Sequence, residues 1–209
     1  MTIPILARFP ALARVPRAEL GRFPSPVVRV PVDDAPGSAQ LWLKRDDLDA
    51  DLAGGNKVRA LEWLLGGVGA GDTVLTLGGD GSTHVLATAH HAARLGARTV
   101  AIRWPHEMHD VARSVARVAA ERCLAVHRAW TPVDALVRAW WLRRRNPRWR
   151  WVPIGGSSPM GCLGHVNAAL ELAAQVEAGA LPPPRRIVVA LGSGGTAAGL
   201  LAGLALTTL

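Results

Sequence analysis

Three glycine-rich loops, each set between a short apolar run and a helical pattern, constrain this 209-residue chain more than any other feature. Gly78–Gly81 follows Thr73–Leu77, Gly155–Gly161 follows Trp151–Ile154, and Gly192–Gly195 follows Ile187–Leu191. The runs are rich in Val, Leu and Ile, and the intervening helical patterns are roughly 10–16 residues long, the signature of β-α-β units around a parallel sheet. Connections in such a sheet are right-handed crossovers, and ligands bind beyond the carboxyl ends of the strands. Three glycine loops at strand-to-helix junctions therefore converge on one cleft, a stronger statement than any single loop makes.

The remaining punctuation is consistent with that reading. Residues 1–26 are Pro-rich and irregular. Val27–Val32 and Leu41–Lys44 read as strands, with a turn at Asp33–Gly37 between them. After the acidic loop Arg45–Ala53, Asn56 is the expected cap of a helix reaching about Leu65, with Val58, Leu61, Leu64 and Leu65 on one face. Ser82 starts a helix to about Leu95; then come a strand at Thr99–Arg103, a helix at Glu107–Arg122, a strand at Leu124–His127 and a helix at Val133–Arg145. A long helix covers about Leu163–Ala178, Pro182–Pro184 is a stiff linker, and a last helix opens from the 192–196 loop. The Leu200–Leu206 stretch of that helix is so apolar that burial on several sides is expected, by further sequence or by a partner chain.

Composition excludes several classes. Apolar residues make up 49% of the chain, too many for disorder. The formal net charge of +8 raises nucleic acid or an anionic surface as partners. Its densest source is Arg138–Trp151, where arginines interleave with tryptophans. Base stacking with phosphate contact would use that pattern. So would an amphipathic helix with its indoles toward the core and its arginine stems in water, which is the reading taken, with no nucleic-acid partner. Cys123 and Cys162 are isolated, which argues against a disulfide framework or a thiolate metal site. His106 and His109 are three apart, not the four of a zinc helix, and His90 and His91 point to different helix faces, so no metal is expected. Arg8, Pro10, Arg14 and Arg17 interrupt any leader-like apolar region. No uncharged run reaches the roughly 18 residues of a membrane span. No membrane partner and a cytoplasmic location are expected.

Lysine usage is the sharpest chemical signal. Of 24 basic side chains only Lys44 and Lys57 are lysines. An arginine cannot act as a neutral amine, whereas a desolvated lysine can. Lys57 follows Gly54-Gly55-Asn56 at the start of a helix, an end where the backbone dipole favours acidic groups over cations. A lysine fits there as a neutral amine or as an imine. Gly192-Ser193-Gly194-Gly195-Thr196 offers free backbone N–H groups, a helix N-terminus and two hydroxyls, which make a cradle for phosphate. An ordinary Gly-rich strand–helix turn would look similar, and the loose G-x-G-x-x-A match ending at Ala197 is weak for a dinucleotide. Ser82 combines a capping hydroxyl with a helix start suited to a carboxylate. His84, two residues on, is a candidate proton carrier or a structural histidine.

An amine, a phosphate cradle and a hydroxyl-bearing helix start together suggest pyridoxal 5'-phosphate. The chain resembles the D-cysteine desulfhydrase and 1-aminocyclopropane-1-carboxylate deaminase family, which has the tryptophan-synthase-β-like fold (fold type II of the pyridoxal-phosphate enzymes). The resemblance is carried by Leu43–Leu48, Gly54–Glu62, the Gly-Gly-x-x-Ser loop at 78–82, Val152–Ser158 with Gly161 and Gly164, and the 192–196 loop, in the family's order over about 160 residues. It implies an α/β fold with two open parallel-type sheets and flanking helices. Residues 1–55 would begin the large domain, 56–150 would form the small α/β domain, and 151–209 would form an incomplete cofactor-binding part of the large one.

By the same resemblance Lys57 is the Schiff-base lysine with Asn56 before it, and Ser193, Gly194, Gly195 and Thr196 hold the phosphate. Ser82 is the serine that contacts the substrate carboxylate and serves as nucleophile in the deaminases, with Thr83 and His84 beside it. Thr83 departs from the family's asparagine, which contacts the cofactor's phenolic oxygen. His84 agrees with the desulfhydrase branch. The family's C-terminal third, source of the pyridine-nitrogen partner and of active-site tyrosines, has no counterpart here, and the chain has no tyrosine at all. The implied activity is elimination or deamination of a small amino acid to a 2-oxo acid and ammonia by a homodimer. A truncated or non-catalytic relative that binds the cofactor or a protein partner is the alternative.

Overall fold

The computed structural model describes residues 3–31 and 40–209; the turn expected at Asp33–Gly37 and the end of the strand at Val32 lie outside them. Its centre is a four-stranded sheet of β3 (Thr73–Gly79), β4 (Arg98–Trp104), β5 (Ala125–Arg128) and β6 (Arg150–Trp151), in the order β5-β4-β3-β6. Every pairing in it is parallel. The helices α3 (Thr83–Arg94), α4 (Asp110–Arg122) and α5 (Pro132–Arg145) supply the crossovers. β3 is buried along nearly its whole length, as a central parallel strand must be. Leu75, Leu77, Val100 and Ile102 pack on Ala135, Ala139 and Leu142 of α5, while Val85 and Ala119 close over Ala101 on the side of α3 and α4. The second sheet is represented by an antiparallel pair, β1 (Val27–Val30) with β2 (Leu41–Lys44).

Two short helical turns, α1 (Pro4–Arg8) and a 3-10 turn at Pro10–Arg14, begin the described chain. The α2 helix (Lys57–Leu64) is buried at every position but its first. It lies against α6 (Pro159–Glu177), and at Gly164 the approach is so close that a Cβ would collide with the Arg59 carbonyl. The α7 helix (Gly195–Leu204) rests on α6 through Gly199 and Gly203, where an added Cβ would meet His165 and Cys162, and Ala169 and Val166.

Three expectations need correction, and a fourth is met in part. Asn56 makes no side-chain cap for α2, because it is in helical conformation (φ −51°, ψ −20°) and its amide is used elsewhere. Ile187–Leu191 forms no strand: the segment is unpaired, with Val188 92% and Leu191 77% exposed. An apolar run becomes a strand only where a neighbour supplies ladder partners, and none of the described residues does so. For α7 the described residues supply one side of the expected cover: its glycine ridge gives contact with α6 while Leu201 faces outward, where further sequence or a partner chain would pack. Finally, Trp140 and Trp141 do not point to the core; Ala135, Ala139 and Leu142 do.

An ion cluster ties α2 in place. The Arg59 guanidinium is fully buried. Its Nε and Nη2 donate to Asp46 (both 2.8 Å), its Nη1 and Nη2 donate to Glu171 of α6 (3.1 and 3.0 Å), and Nη2 also donates to Ser25 Oγ (2.9 Å). Lys44 Nζ adds a contact to Glu171 (3.3 Å) while donating to Ser25 O and Gln175 Oε1. Removing one partner of a buried cluster strands the others without water. Arg59→Ala is expected to lower unfolding stability by about 3 kcal/mol or more, measured by urea titration; a loss under about 1 kcal/mol would place the cluster among ordinary surface pairs.

Candidate functional site

The carboxyl ends of β3, β4 and β6 open on a cavity of about 540 Å³. Lys57, the Gly78–His84 turn, Trp104, Ile154, Gly155, Gly192 and Ser193 line it, with His106, Glu107 and His109 on the β4–α4 side. A second space of about 30 Å³, roughly two water molecules in size, is lined by Lys57, Ala190 and Gly192–Ala197. Lys57, Gly192 and Ser193 belong to both. The three glycine loops thus converge as their positions at strand-to-helix junctions require.

Lys57 begins α2, and burial lowers its pKa. Its nearest polar partner is Asn56 Oδ1, at 3.5 Å, and no carboxylate pairs with it among the described residues. Lys44, whose pKa burial also lowers, is held by a carboxylate, a carbonyl and an amide oxygen. Of the two lysine amines, Lys57 is the one that faces a cavity and lacks a counter-ion among the described residues.

Asn56 Nδ2 donates to Thr196 Oγ1 (2.9 Å), which joins the lysine's own loop to the start of α7, and Thr196 Oγ1 also lies 3.4 Å from His165 Nε2. Gly194 has φ +85°, and no side chain of its own caps α7. Ser157 Oγ reaches across, donating to Ser193 Oγ (2.6 Å) and accepting from Gly195 N (3.2 Å). The first-turn amides of Thr196 and Ala197, which have no carbonyl four residues back within the helix, remain to face the small space. Gly155, at φ +62°, is required here because a Cβ would run into Ser193 Oγ. Glycine-lined backbone, free amides and hydroxyls, with an unpaired amine at the edge, fit a phosphate ester that bears an aldehyde.

Ser82 caps α3 as expected: its Oγ accepts from Val85 N at 3.4 Å, so the hydroxyl proton is free to donate elsewhere. Thr83 and His84 follow in the first turn and line the same cavity. The loop is pinned by Asp80, which accepts from Arg103 (2.9 and 2.7 Å) and from Arg128 (2.7 Å). His84 is buried, its Nε2 is 3.1 Å from Thr76 Oγ1, and the Pro153 carbonyl is a further acceptor for the ring. Burial first, and the Lys57 charge second, push its pKa down to about 4. The ring is therefore neutral near pH 7 and cannot serve as an imidazolium acid. His109, read as a poor metal candidate, caps α4 by accepting from Ala112 N (3.2 Å). Ser157, His165 and Trp104 were not singled out from the sequence; for Ser157 the available signal was its place in the second glycine loop.

Residues 18–208 match the pyridoxal-phosphate dependent enzyme family, and the chain belongs to it. It is 40% identical over 210 residues to the nocardicin C-9' epimerase of Nocardia uniformis subsp. tsuyamanensis, covering 95% of this chain and 61% of that protein. With the D-cysteine desulfhydrase of Klebsiella pneumoniae (strain 342) it shares 35% over 206 residues, 92% of this chain and 61% of that one. With the putative 1-aminocyclopropane-1-carboxylate deaminase of Pyrococcus horikoshii it shares 34% over 210 residues, with 95% and 61% covered. Among solved structures, an ACC deaminase homologue matches with a TM-score of 0.73 at 31% identity, over 98% of this chain and 62% of that one. A threonine deaminase, at TM-score 0.70 and 21% identity over 97% and 60%, shares the fold. The α/β fold is thus that of the type II, tryptophan-synthase-β-like enzymes. The chain spans about 61% of the length of the curated relatives it matches.

The buried histidines give a pH prediction. His84, His91 and His165 are all held at about 4, chiefly by burial, below an unfolded value near 6.5. Between those values the unfolded chain binds protons that the native chain refuses, so stability falls as pH drops. Asp49, pushed up to about 7 by burial, works in the opposite direction, since the native state holds its proton where the unfolded state releases it. Glu62, whose pKa burial also raises, adds to Asp49, and the three histidines outweigh the two carboxylates. The thermal midpoint is expected to be lower at pH 5 than at pH 7, and a higher midpoint at pH 5 would show that the histidines are not excluded from water.

Proposed function

We propose that this chain holds pyridoxal phosphate through Lys57 and the Ser193–Thr196 cradle, and that it promotes elimination or deamination of a small amino acid to a 2-oxo acid and ammonia. D-cysteine is the first candidate substrate and 1-aminocyclopropane-1-carboxylate the second. The observation that carries this reading is the position of the unpaired Lys57 amine on the wall common to the large cavity and the small amide-lined space. When bound, the cofactor supplies an electron-withdrawing ring that stabilises negative charge beside the substrate's amino-bearing carbon.

The residues divide the remaining work. Burial lowers the pKa of Lys57 and so favours the free amine that an aldehyde requires, and the same amine is placed to take or return a proton at the reacting carbon. The amides of Thr196 and Ala197 and the hydroxyls of Ser193 and Thr196 receive the phosphate. Asn56 keeps the lysine's loop and the cradle in register through its bond to Thr196. The Ser82 hydroxyl and the start of α3 receive the substrate carboxylate, and Ser82 stands available as the nucleophile. Thr83 offers one hydroxyl to the cofactor or substrate. Neutral His84 orients its neighbours without adding charge. The division into residues 1–55, 56–150 and 151–209, and a homodimeric state, belong to the same proposal.

A truncated or non-catalytic relative that binds the cofactor or a protein partner is the second reading; the exposed, unpaired Ile187–Leu191 segment is a backbone edge that a partner or further residues of the same chain would pair. Similarity to an epimerase adds a different catalytic outcome, proton exchange with the carbon skeleton retained. With pyridoxal phosphate and D-cysteine or 1-aminocyclopropane-1-carboxylate, the protein is expected to release a 2-oxo acid and ammonia. Ser82→Ala should slow release roughly 100-fold, and Lys57→Ala should stop it with circular dichroism unchanged. Deuterium uptake from heavy water without 2-oxo acid would support the epimerase outcome. Cofactor binding with neither signal would support the non-catalytic one.

A further inference from the structure

We propose that the outward face of α5 is a docking surface for an anionic lipid membrane. The helix is built inside out for a soluble surface element. Its core side is made of the small residues Ala135 and Ala139 with Leu142. Its bulky apolar residues face water: Val133 is 69%, Val137 59%, Trp140 56% and Trp141 46% exposed, and Trp130, just before the helix, is 82% exposed. At 100° per residue, Val133, Val137 and Trp141 form one ridge, and Leu136, Trp140 and Arg144 the ridge beside it. Fourteen residues at 1.5 Å rise make an apolar strip about 20 Å long. Nothing in the described chain covers it.

Charge selects the occupant. Residues 130–148 contain five arginines and one aspartate, so they hold half of the chain's net +8. Asp134 is occupied by Arg138 (2.8 Å) and the Trp130 amide (2.8 Å). Arg143, Arg144, Arg145 and Arg148 make no ion pair among the described residues, and all are exposed. The Arg144 guanidinium lies 4.5 Å over the Trp140 ring and Arg145 3.8 Å over Trp141. Each indole therefore carries a cation at its own level, an arrangement that fits the headgroup layer, where tryptophan sits between water and chains and arginine meets phosphate. A lipid surface with negative headgroups complements this strip. A second copy would bring the same arginines to the contact. Single-stranded nucleic acid calls for a groove with open aromatic faces, whereas this helix is convex and the Trp140 and Trp141 rings are stacked by its own guanidiniums. The expectation of no membrane partner rests on the lack of a spanning run; no described helix is long and apolar enough to cross a membrane, but a surface contact needs none.

The test is cosedimentation of the 209-residue protein with vesicles of phosphatidylcholine alone or mixed with phosphatidylglycerol, with tryptophan quenching by brominated chains as the second readout. Binding is expected only to the mixed vesicles, weakening with salt. Arg144→Glu/Arg145→Glu/Arg148→Glu should weaken it roughly 100-fold or more. Trp130→Ser/Trp140→Ser/Trp141→Ser should weaken it and remove most of the quenching, with thermal midpoints of both variants close to the parent. Val188→Ser/Leu191→Ser, in the other exposed apolar segment, should leave it unchanged. No binding to mixed vesicles, equal binding to neutral ones, or binding lost only in the 188/191 variant would overturn the proposal. So would self-association that is abolished by the tryptophan variant in the absence of vesicle binding, or preferential binding of an oligothymidylate.

Discussion

A single buried guanidinium holds the site together. Arg59 sits inside α2, two residues after Lys57, and it spans from the 3-10 turn at Asp46–Leu48 to Glu171 in the middle of α6. Taking a guanidinium and two carboxylates out of water is costly, and only complete hydrogen bonding offsets it. The cluster meets that demand with Asp46, Glu171 and Ser25 as acceptors, and with Lys44 and Asn167 also contacting Glu171. Because these partners come from distant parts of the chain, α2 has little freedom to slide or rotate. The amine at its first residue inherits that fixity.

The same cluster accounts for the difference between the two lysines. Lys44 is consumed by structure: it neutralises part of the carboxylate charge around Glu171 and seals the Ser25 carbonyl. Lys57, at the other side of the same helix start, is left without a carboxylate, and desolvation alone acts on its pKa. An amine beside backbone amides and hydroxyls, with no carboxylate partner, adds little to a fold and is placed to meet a phosphorylated aldehyde. The proposed site thus centres on an amine that the fold leaves without a counter-ion.

Local rules made much of this legible. Glycine loops after buried strands, the Ser82 cap and the scarcity of lysine each follow from short-range chemistry, and the structure brings Lys57, Ser82, Thr83, His84 and Ser193 to one cavity, with Gly194, Gly195 and Thr196 beside it. The misses share one cause, which is that they depend on long-range partners. Asn56 looks like a cap until Thr196, 140 residues away, takes its amide. Ile187–Leu191 reads as a strand until ladder partners are sought. Trp140 and Trp141 look like core residues, yet alanines at 135 and 139 let α5 lie close to the sheet and turn the indoles out. Ser157 is marked only by its place in the second glycine loop, and its role in closing the cradle exists only because two loops distant in sequence meet.

The most direct test is borohydride reduction of the protein with added pyridoxal phosphate, followed by peptide mapping. One pyridoxyl group per chain is expected, on the peptide containing Lys57, with Lys44 unlabelled in the native protein. A label on Lys44, or none at all under conditions where the fold is intact, would contradict the assignment of Lys57 as the reactive amine.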